Sequence, residues 1–381
     1  MSDTFLPYSR QWVDEADVHA VSEVLRADYI TTGPAVARFE EALAAATGAG
    51  GARTLSSGTA ALHAAYFALD LGPGDEIITS PLTFAATANA ACYLGASVSF
   101  ADVRSDTGNI DADLIESAVT DKTRAIVPVD FAGHPVDYDR VREIAAERGI
   151  PVVSDSAHSL GATYRGRRVG TLADVTVTSF HPVKAITTSE GGAVLSSTQE
   201  LLERVERFRD HCLIRDRAEA WESEGEWYYE IEELGFNYRL SDVHCALGLS
   251  QLRRLKAFVA RRREIAAAYT SALSDVAGLD LPSVRSAVEP AWHLYVVRTT
   301  DASRRRPLFD RLRELSLGVQ VHYIPVYFHP YYRALGYRRG SCPNAEDFYS
   351  RCLSIPIYPA MTAADVERVI DRVRQAASDT L

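Results

Sequence analysis

The chain has 381 residues, 47% hydrophobic and 24% charged, the balance of an ordinary globular protein rather than a disordered or fibrous one. Its formal charge of −11, from 40 basic and 51 acidic residues, speaks against a nucleic-acid partner, whose binding is driven by Lys and Arg neutralising phosphates. Five cysteines at 92, 212, 245, 342 and 352 share no C-x-x-C spacing, which argues against a disulfide framework or a zinc site and for a reducing, cytoplasmic setting.

The first residues, MSDTFLPYSRQW, lack the basic start and apolar run of a signal peptide. They read as an extended arm. From Asp14 to Ala27, Val18, Val21, Val24 and Leu25 recur at a helical period. The turn residues of Tyr29-Ile-Thr-Thr-Gly-Pro34 break that helix, and a second runs from about Pro34 to Thr47.

From Arg53 the text alternates. Short apolar runs at Glu76–Ser80, Ser97–Asp102, Arg124–Asp130, Pro151–Ser154 and Val175–Phe180 read as strands. Helical patterns at Thr59–Leu71, Thr83–Leu94, Asp111–Val119 and Asp137–Arg148 separate them. This is βαβ text, which predicts a mostly parallel sheet covered on both faces. The apolar window at 85–101 is broken by Thr87, Asn89, Ser97 and Ser99, so no membrane span is expected.

After Leu195 a helix is expected over Gln199–Cys212. Residues 215–235 form an acidic excursion rich in Trp and Tyr, including Trp221, Trp227, Tyr228 and Tyr229. A long helix is expected from Ser241 to about Leu273. A strand (His293–Arg298), a helix (Ser303–Ser316), an aromatic piece from Val319 to His329 and two helices (Ala345–Ser354, Ala363–Ala377) complete the chain. Single cores stop growing at about 250–300 residues. The expected division is therefore a large domain over 1–250 and a smaller α+β domain over 251–381.

Ligands gather at the carboxyl ends of strands in such sheets, and four places stand out. Leu55-Ser-Ser-Gly-Thr-Ala60 joins a strand to an Ala-rich helix. Small residues there admit an anion to the helix N-terminus, although Ser and Thr serve equally as plain caps. Phe84 follows a strand, either to stack on a flat ligand or to pack in the core. Asp155 ends an apolar run, where a carboxylate needs a partner such as a protonated ring nitrogen or a helix cap. His158 lies three residues on and reads equally as a packed core imidazole. Lys184 sits between two strand-like runs among Pro182, Val183, Ala185 and Ile186, with hydroxyls at Ser179, Thr187 and Thr188. An amine partly shielded from water has a lowered pKa and can attack a carbonyl. One ligand accounts for all four features: pyridoxal phosphate (PLP), with its phosphate, flat ring, ring nitrogen and aldehyde.

The motifs also resemble a known family. S-F-H-P-V-K-x-I-T-T-x-E-G-G from Ser179, S-x-G-T-x-A-L from Ser56, D-S-x-H from Asp155 and G-F-N-Y-R-x-S from Gly235 are similar to those of the DegT/DnrJ/EryC1/StrS sugar-nucleotide aminotransferases. Members usually carry Asn and Gly where this chain has Ala185 and Ser189. Relatives with His in place of the lysine are dehydratases, so the retained Lys184 implies amino transfer. Within the family the chain is similar to the transaminases of the pseudaminic acid pathway, on Tyr8-Ser9, Asp130-Phe-Ala-Gly133, Ala246–Leu252, Val321-His-Tyr323 and Ala345–Tyr349.

That resemblance implies a type I aminotransferase-like PLP-transferase fold with a mostly parallel seven-stranded sheet, and a homodimer sharing its active sites. It implies that Lys184 holds PLP as a Schiff base and moves protons, and that Asp155 keeps the ring nitrogen protonated. Phe84 would stack on the ring, and His158 would stand beside it. Gly58, Thr59 and Ser179 would hold the phosphate, with Asn237 from the partner subunit. Tyr8, the turn of Asp28, Tyr29, Ile30 and Thr31, and His322, Tyr323 and Ile324 would touch the nucleotide sugar, near Gly58, Ser179 and Asn237. The expected reaction moves an amino group from L-glutamate to the C4 ketone of UDP-4-keto-6-deoxy-N-acetyl-β-L-altrosamine. The alternatives are a dTDP-ketosugar, a cyclitol ketone, or a PLP-fold regulator without turnover. A Rossmann-type module is disfavoured, because Ser56-Ser-Gly-Thr59 is not G-x-G-x-x-G.

Overall fold

A strand covered on both faces has to be apolar or self-satisfied along its whole length. Val175-Thr-Val-Thr-Ser179 and Gly192-Ala-Val-Leu-Ser196 meet that demand, and only Ser179 reaches beyond the interior. In the computed structural model, which describes residues 5–215 and 225–381, these two strands are interior neighbours in one sheet.

Among the described residues that sheet has seven strands: β1 (Gly51–Leu55), β2 (Glu76–Thr79), β3 (Ser97–Phe100), β4 (Thr123–Val127), β5 (Val153–Asp155), β6 (Val175–Ser179) and β7 (Gly192–Ser196). Parallel bridges Ile126–Val152 and Val129–Asp155 join its two ladders, giving the order β3-β2-β4-β5-β6-β7-β1. The strands are parallel except β7, which pairs antiparallel with both β6 and β1.

The helices that matter for the site are α1 (Glu15–Arg26), α2 (Pro34–Thr47), α3 (Gly58–Ala68) and α4 (Ala86–Tyr93), then α5 (Asp242–Leu252) and α6 (Leu255–Leu273). Helix α3 is Ala-rich and buried over most of its length, packed on the sheet face formed by β6 and β7. Most of the expected elements appear within a few residues of their expected limits.

Two expectations are corrected. The single helix expected over Ser241–Leu273 is two, broken at Arg253–Arg254. There Arg254 leaves the helix line to meet Asp14 (2.6 Å), Asp17 and the Trp12 carbonyl (3.2 Å). The helix expected over Ala345–Ser354 ends at Arg351. Cys352–Ile355 is instead a fully buried strand, paired antiparallel with Tyr295–Thr299.

Of the acidic excursion, residues 216–224 lie outside the described residues. On either side of them Leu213–Ile214 pairs antiparallel with Glu230–Ile231. A separate apolar core gathers Tyr269, Tyr295, Leu312, Leu353 and Val369 with Leu6 of the arm. Among the described residues no helix is long and apolar enough to cross a membrane.

Candidate active site

A cavity of about 390 Å³ opens at the carboxyl ends of the strands. Most of the expected site residues border it. Gly58 and Thr59 come from the start of α3, Phe84 from the loop after β2, and Asp155 and His158 from the end of β5. Ser179 comes from the end of β6 and Lys184 from the loop after it, Tyr8 from the arm, and His322 and Tyr323 from the late aromatic segment.

The start of α3 is both a cap and a cradle. Ser57 Oγ accepts from the Ala60 N–H (3.0 Å), and the Ser57 carbonyl accepts from the Ala61 N–H. The Gly58 and Thr59 N–H groups precede the helix's own ladder and face the cavity with the positive end of the dipole. Close approach demands glycine on both sides. A Cβ on Gly58 would meet Ser179 Cβ at 3.0 Å, and one on Gly192 would meet the Ser57 carbonyl at 2.5 Å.

The lysine loop is held at both ends. The Phe180 N–H donates to Gly191 O (2.8 Å), and Thr188 N–H and Thr187 Oγ1 both donate to Phe180 O (3.0 Å each). Ser9 of the arm donates to Val183 O (3.4 Å). Burial pushes the Lys184 ammonium down from its usual range to about 8, and the Asp155 charge pulls it partly back up.

Asp155 accepts from the Ala157 N–H (3.1 Å) on one oxygen and from Thr87 Oγ1 (2.7 Å) on the other. Burial raises its carboxyl pKa, while Thr87, Ala157 and Lys184 oppose the rise. Behind it, buried Asp130 accepts from Ser159 Oγ (2.6 Å), Ser156 Oγ (3.3 Å), Tyr138 Oη (3.0 Å) and the Val136 N–H (3.0 Å). Those bonds shape the turn that carries Asp155 and His158.

His158 Nε2 lies 3.1 Å from Tyr323 Oη, and its ring packs tilted against that of buried His293, 4.2 Å between centroids. Burial first, then Lys184 and His322, depress its pKa well below the usual value, so the ring is neutral. Phe84 is 63% exposed, which dismisses the core-packing reading. The rings of Tyr8 and His322 meet at 5.4 Å, and His322 Nδ1 is 2.8 Å from Ser354 Oγ.

Some expected residues do not border the cavity of their own chain. Asn237 is exposed and outside the lining, in an isolated antiparallel bridge with Asp210, while the rings of its neighbours Phe236 and Tyr238 approach His63 (5.1 and 6.0 Å). Asp28, Tyr29, Ile30 and Thr31 form an exposed turn outside the cavity. The Gly33 and Ala35 N–H groups that follow are tied to the Asp242 carboxylate on α5 (2.7 and 2.8 Å). Ile324 is also exposed and outside the lining.

Residues at or behind the site to which the sequence assigns no role include Thr83 and Thr87, Asp130, Glu190 and His293. Thr83 and Thr87 flank Phe84 at a four-residue spacing, a signal that was available. His293 sits in strand-like text and gave none. Among the described residues no group of three His, Cys, Asp or Glu side chains is placed to hold a metal ion.

Comparison with known proteins decides the family. The profile of the DegT/DnrJ/EryC1/StrS aminotransferase family matches residues 11–374. The chain belongs to that family. The UDP-4-amino-4,6-dideoxy-N-acetyl-β-L-altrosamine transaminase of Campylobacter jejuni is 39% identical over 372 residues, covering 96% of each chain. Helicobacter pylori PseC, an aminotransferase involved in the biosynthesis of pseudoaminic acid, superposes with a TM-score of 0.92 at 31% identity, covering 99% of this chain and 100% of that one. Spr1654 of Streptococcus pneumoniae, assigned as a sugar aminotransferase, superposes in its PLP form with a TM-score of 0.93 at 30% identity and the same coverage.

This DegT/DnrJ/EryC1/StrS protein is thus a PLP-dependent sugar-nucleotide aminotransferase of the type I fold. Its own residues fit the cofactor. Phosphate chemistry matches the free N–H groups and glycine-lined approach at α3, and an aldehyde matches the depressed Lys184 amine. A ring nitrogen matches the buried carboxylate of Asp155.

Proposed function

We propose that the enzyme transfers an amino group from L-glutamate to C4 of UDP-4-keto-6-deoxy-N-acetyl-β-L-altrosamine. The 39% identity to a transaminase named for the corresponding 4-amino sugar, across nearly the full length of both chains, carries this reading. Bound PLP supplies an aldehyde that captures the amino group and a ring that takes up the electrons released at the donor carbon.

Lys184 anchors the cofactor. Once released, its Nζ takes the proton from the donor's α-carbon and later delivers one to C4 of the sugar. A pKa of about 8 suits both directions near neutral pH. Asp155 holds the ring nitrogen in its protonated form, Phe84 covers the ring, and neutral His158 stands beside it. Gly58, Thr59 and Ser179 hold the phosphate.

Tyr8, His322 and Tyr323 orient the sugar nucleotide from the arm side of the cavity. The working form is a homodimer, and Asn237 of the partner subunit completes the phosphate site. Its exposure on its own chain supports that reading. The turn at Asp28–Thr31 reaches substrate only if a second copy brings it there. Five thiols without disulfides support a cytoplasmic setting, and the separate apolar core of the C-terminal part supports a division near residue 250.

The test is incubation with glutamate and a panel of UDP- and dTDP-linked 4-keto-6-deoxy sugars and cyclitol ketones, read by mass spectrometry. The expected result is amination of the UDP-altrosamine ketone with release of 2-oxoglutarate. Preferential amination of a dTDP-sugar or a cyclitol would overturn the substrate assignment.

A further inference from the structure

Two buried hydroxyls stand behind Asp155 and have no part in the roles above. Thr87 Oγ1 lies 2.7 Å from Asp155 Oδ2, 2.7 Å from Thr83 Oγ1 and 3.3 Å from the Phe84 carbonyl. A hydroxyl carries one proton. An ionised carboxylate has none to offer, so Thr87 donates and Asp155 accepts. The Phe84 carbonyl is more distant and uncharged, and the charged acceptor wins that competition.

Thr87 then has only lone pairs to present to Thr83, so Thr83 donates to Thr87. The protons of the chain point one way, Thr83 to Thr87 to Asp155. The other carboxylate oxygen takes the Ala157 N–H (3.1 Å).

The relay is also braced. Thr87 is the second residue of α4, and its carbonyl accepts from the hydroxyl of fully buried Tyr66 (3.0 Å). Thr87 is fully buried and outside the cavity lining, and Thr83, also buried, stands between it and the cavity edge. Burial alone drives Asp155 toward its neutral form, and the relay acts against that drive.

We propose that Thr87, backed by Thr83, is a positioning residue that keeps Asp155 ionised and aimed, so that the proton shared with the cofactor's ring nitrogen stays on the nitrogen. This rests on the reading of Asp155 given above. A carboxylate that loses a donor becomes a stronger base. Without Thr87 the proton moves from the ring nitrogen to the acid, and the ring becomes a weaker electron sink.

The experiment loads wild type, Thr87→Val, Thr87→Ser and Thr83→Val with nitrogen-15-labelled PLP and reads the ring nitrogen by NMR. Wild type and Thr87→Ser should show a protonated nitrogen, and Thr87→Val a resonance moved toward the neutral pyridine. Thr83→Val should fall between them. In Thr87→Val, kcat should drop about tenfold, the scale of a lost hydrogen bond to a charge, with KM for the sugar nucleotide unchanged. A Thr87→Val enzyme with the wild-type resonance overturns the relay and leaves the threonine a space-filler. Should Thr87→Val fail to fold, an unshifted Thr83→Val overturns it equally. A neutral nitrogen already in the wild type overturns it at the root, by removing the assigned role of Asp155.

Discussion

At the scale of single residues, Lys184 and Asp130 make opposite statements about pH. Burial lowers the Lys184 pKa to about 8, and only its free amine captures an aldehyde. Loading of PLP onto the apo-protein should therefore quicken as pH rises, with a midpoint near 8, followed by the visible absorption band. Asp155 is the charge that holds this pKa up, so Asp155→Asn should move the midpoint to lower pH; a midpoint that stays put would remove the coupling. Lys184→Ala should fold and never load covalently, with borohydride leaving no adduct on the peptide that spans residue 184. Asp130 is a carboxyl whose pKa burial raises to about 6, against 3.8 in the unfolded chain. Its stabilising contribution is complete below about 3.8 and is lost as pH climbs through about 6. Asp130→Asn keeps the Val136 contact and removes the titration. Relative to wild type, the variant should gain up to about 3 kcal/mol between acid and neutral pH. Thermal melts of both proteins at pH 5 and 7.5, which span about half of that gain, check it, and parallel behaviour of the two would refute it.

At the scale of elements, the junction of β7 with the start of α3 carries the phosphate cradle. A Cβ on Gly192 would meet the Ser57 carbonyl at 2.5 Å and the Gly58 nitrogen at 2.6 Å, both backbone atoms that cannot swing aside. Gly192→Ala should cost about 1–3 kcal/mol as overpacking. By displacing the Gly58 N–H it should also weaken PLP binding by about tenfold, the worth of one charge-assisted hydrogen bond. Titration of apo-protein with PLP reads the second effect apart from the first, and wild-type affinity would show that the cradle tolerates the shift. Gly191-Gly192 was legible only as the tail of a motif, because a sequence does not display what presses on a missing side chain. The break between α5 and α6 was hidden for a similar reason. Apolar periodicity continues on both sides, and the cause is the grip of Arg254 on Asp14 and Asp17 over 200 positions earlier. Strand ends read well because each is local: Asp155 and Phe84 follow short buried runs in βαβ text, so their place at the mouth of the sheet needed no distant contact.

At the scale of the whole molecule, what one chain lacks says most. Its cavity gathers Lys184, Asp155, Phe84, His158 and the α3 cradle, yet Asn237 stands exposed and outside that lining. Residue patterns could place a G-F-N-Y-R segment after an acidic excursion. They could not say which copy of the chain it serves, because that depends on a two-fold axis and not on the fold of one subunit. The proposed homodimer makes a sharp demand. Lys184→Ala and Asn237→Asp should each be inactive alone, the first for want of the amine and the second because a carboxylate repels the phosphate. Refolded together in equal amounts, half the dimers would be mixed. In each mixed dimer one site would pair the intact Lys184 of the Asn237→Asp chain with the intact Asn237 of the Lys184→Ala chain. About one quarter of the wild-type activity should return, a fraction set by two-fold symmetry alone. If Asn237 served its own chain, every site in the mixture would carry a lesion and nothing would return, so absence of recovery refutes the shared site while leaving the chemistry of Lys184 untouched.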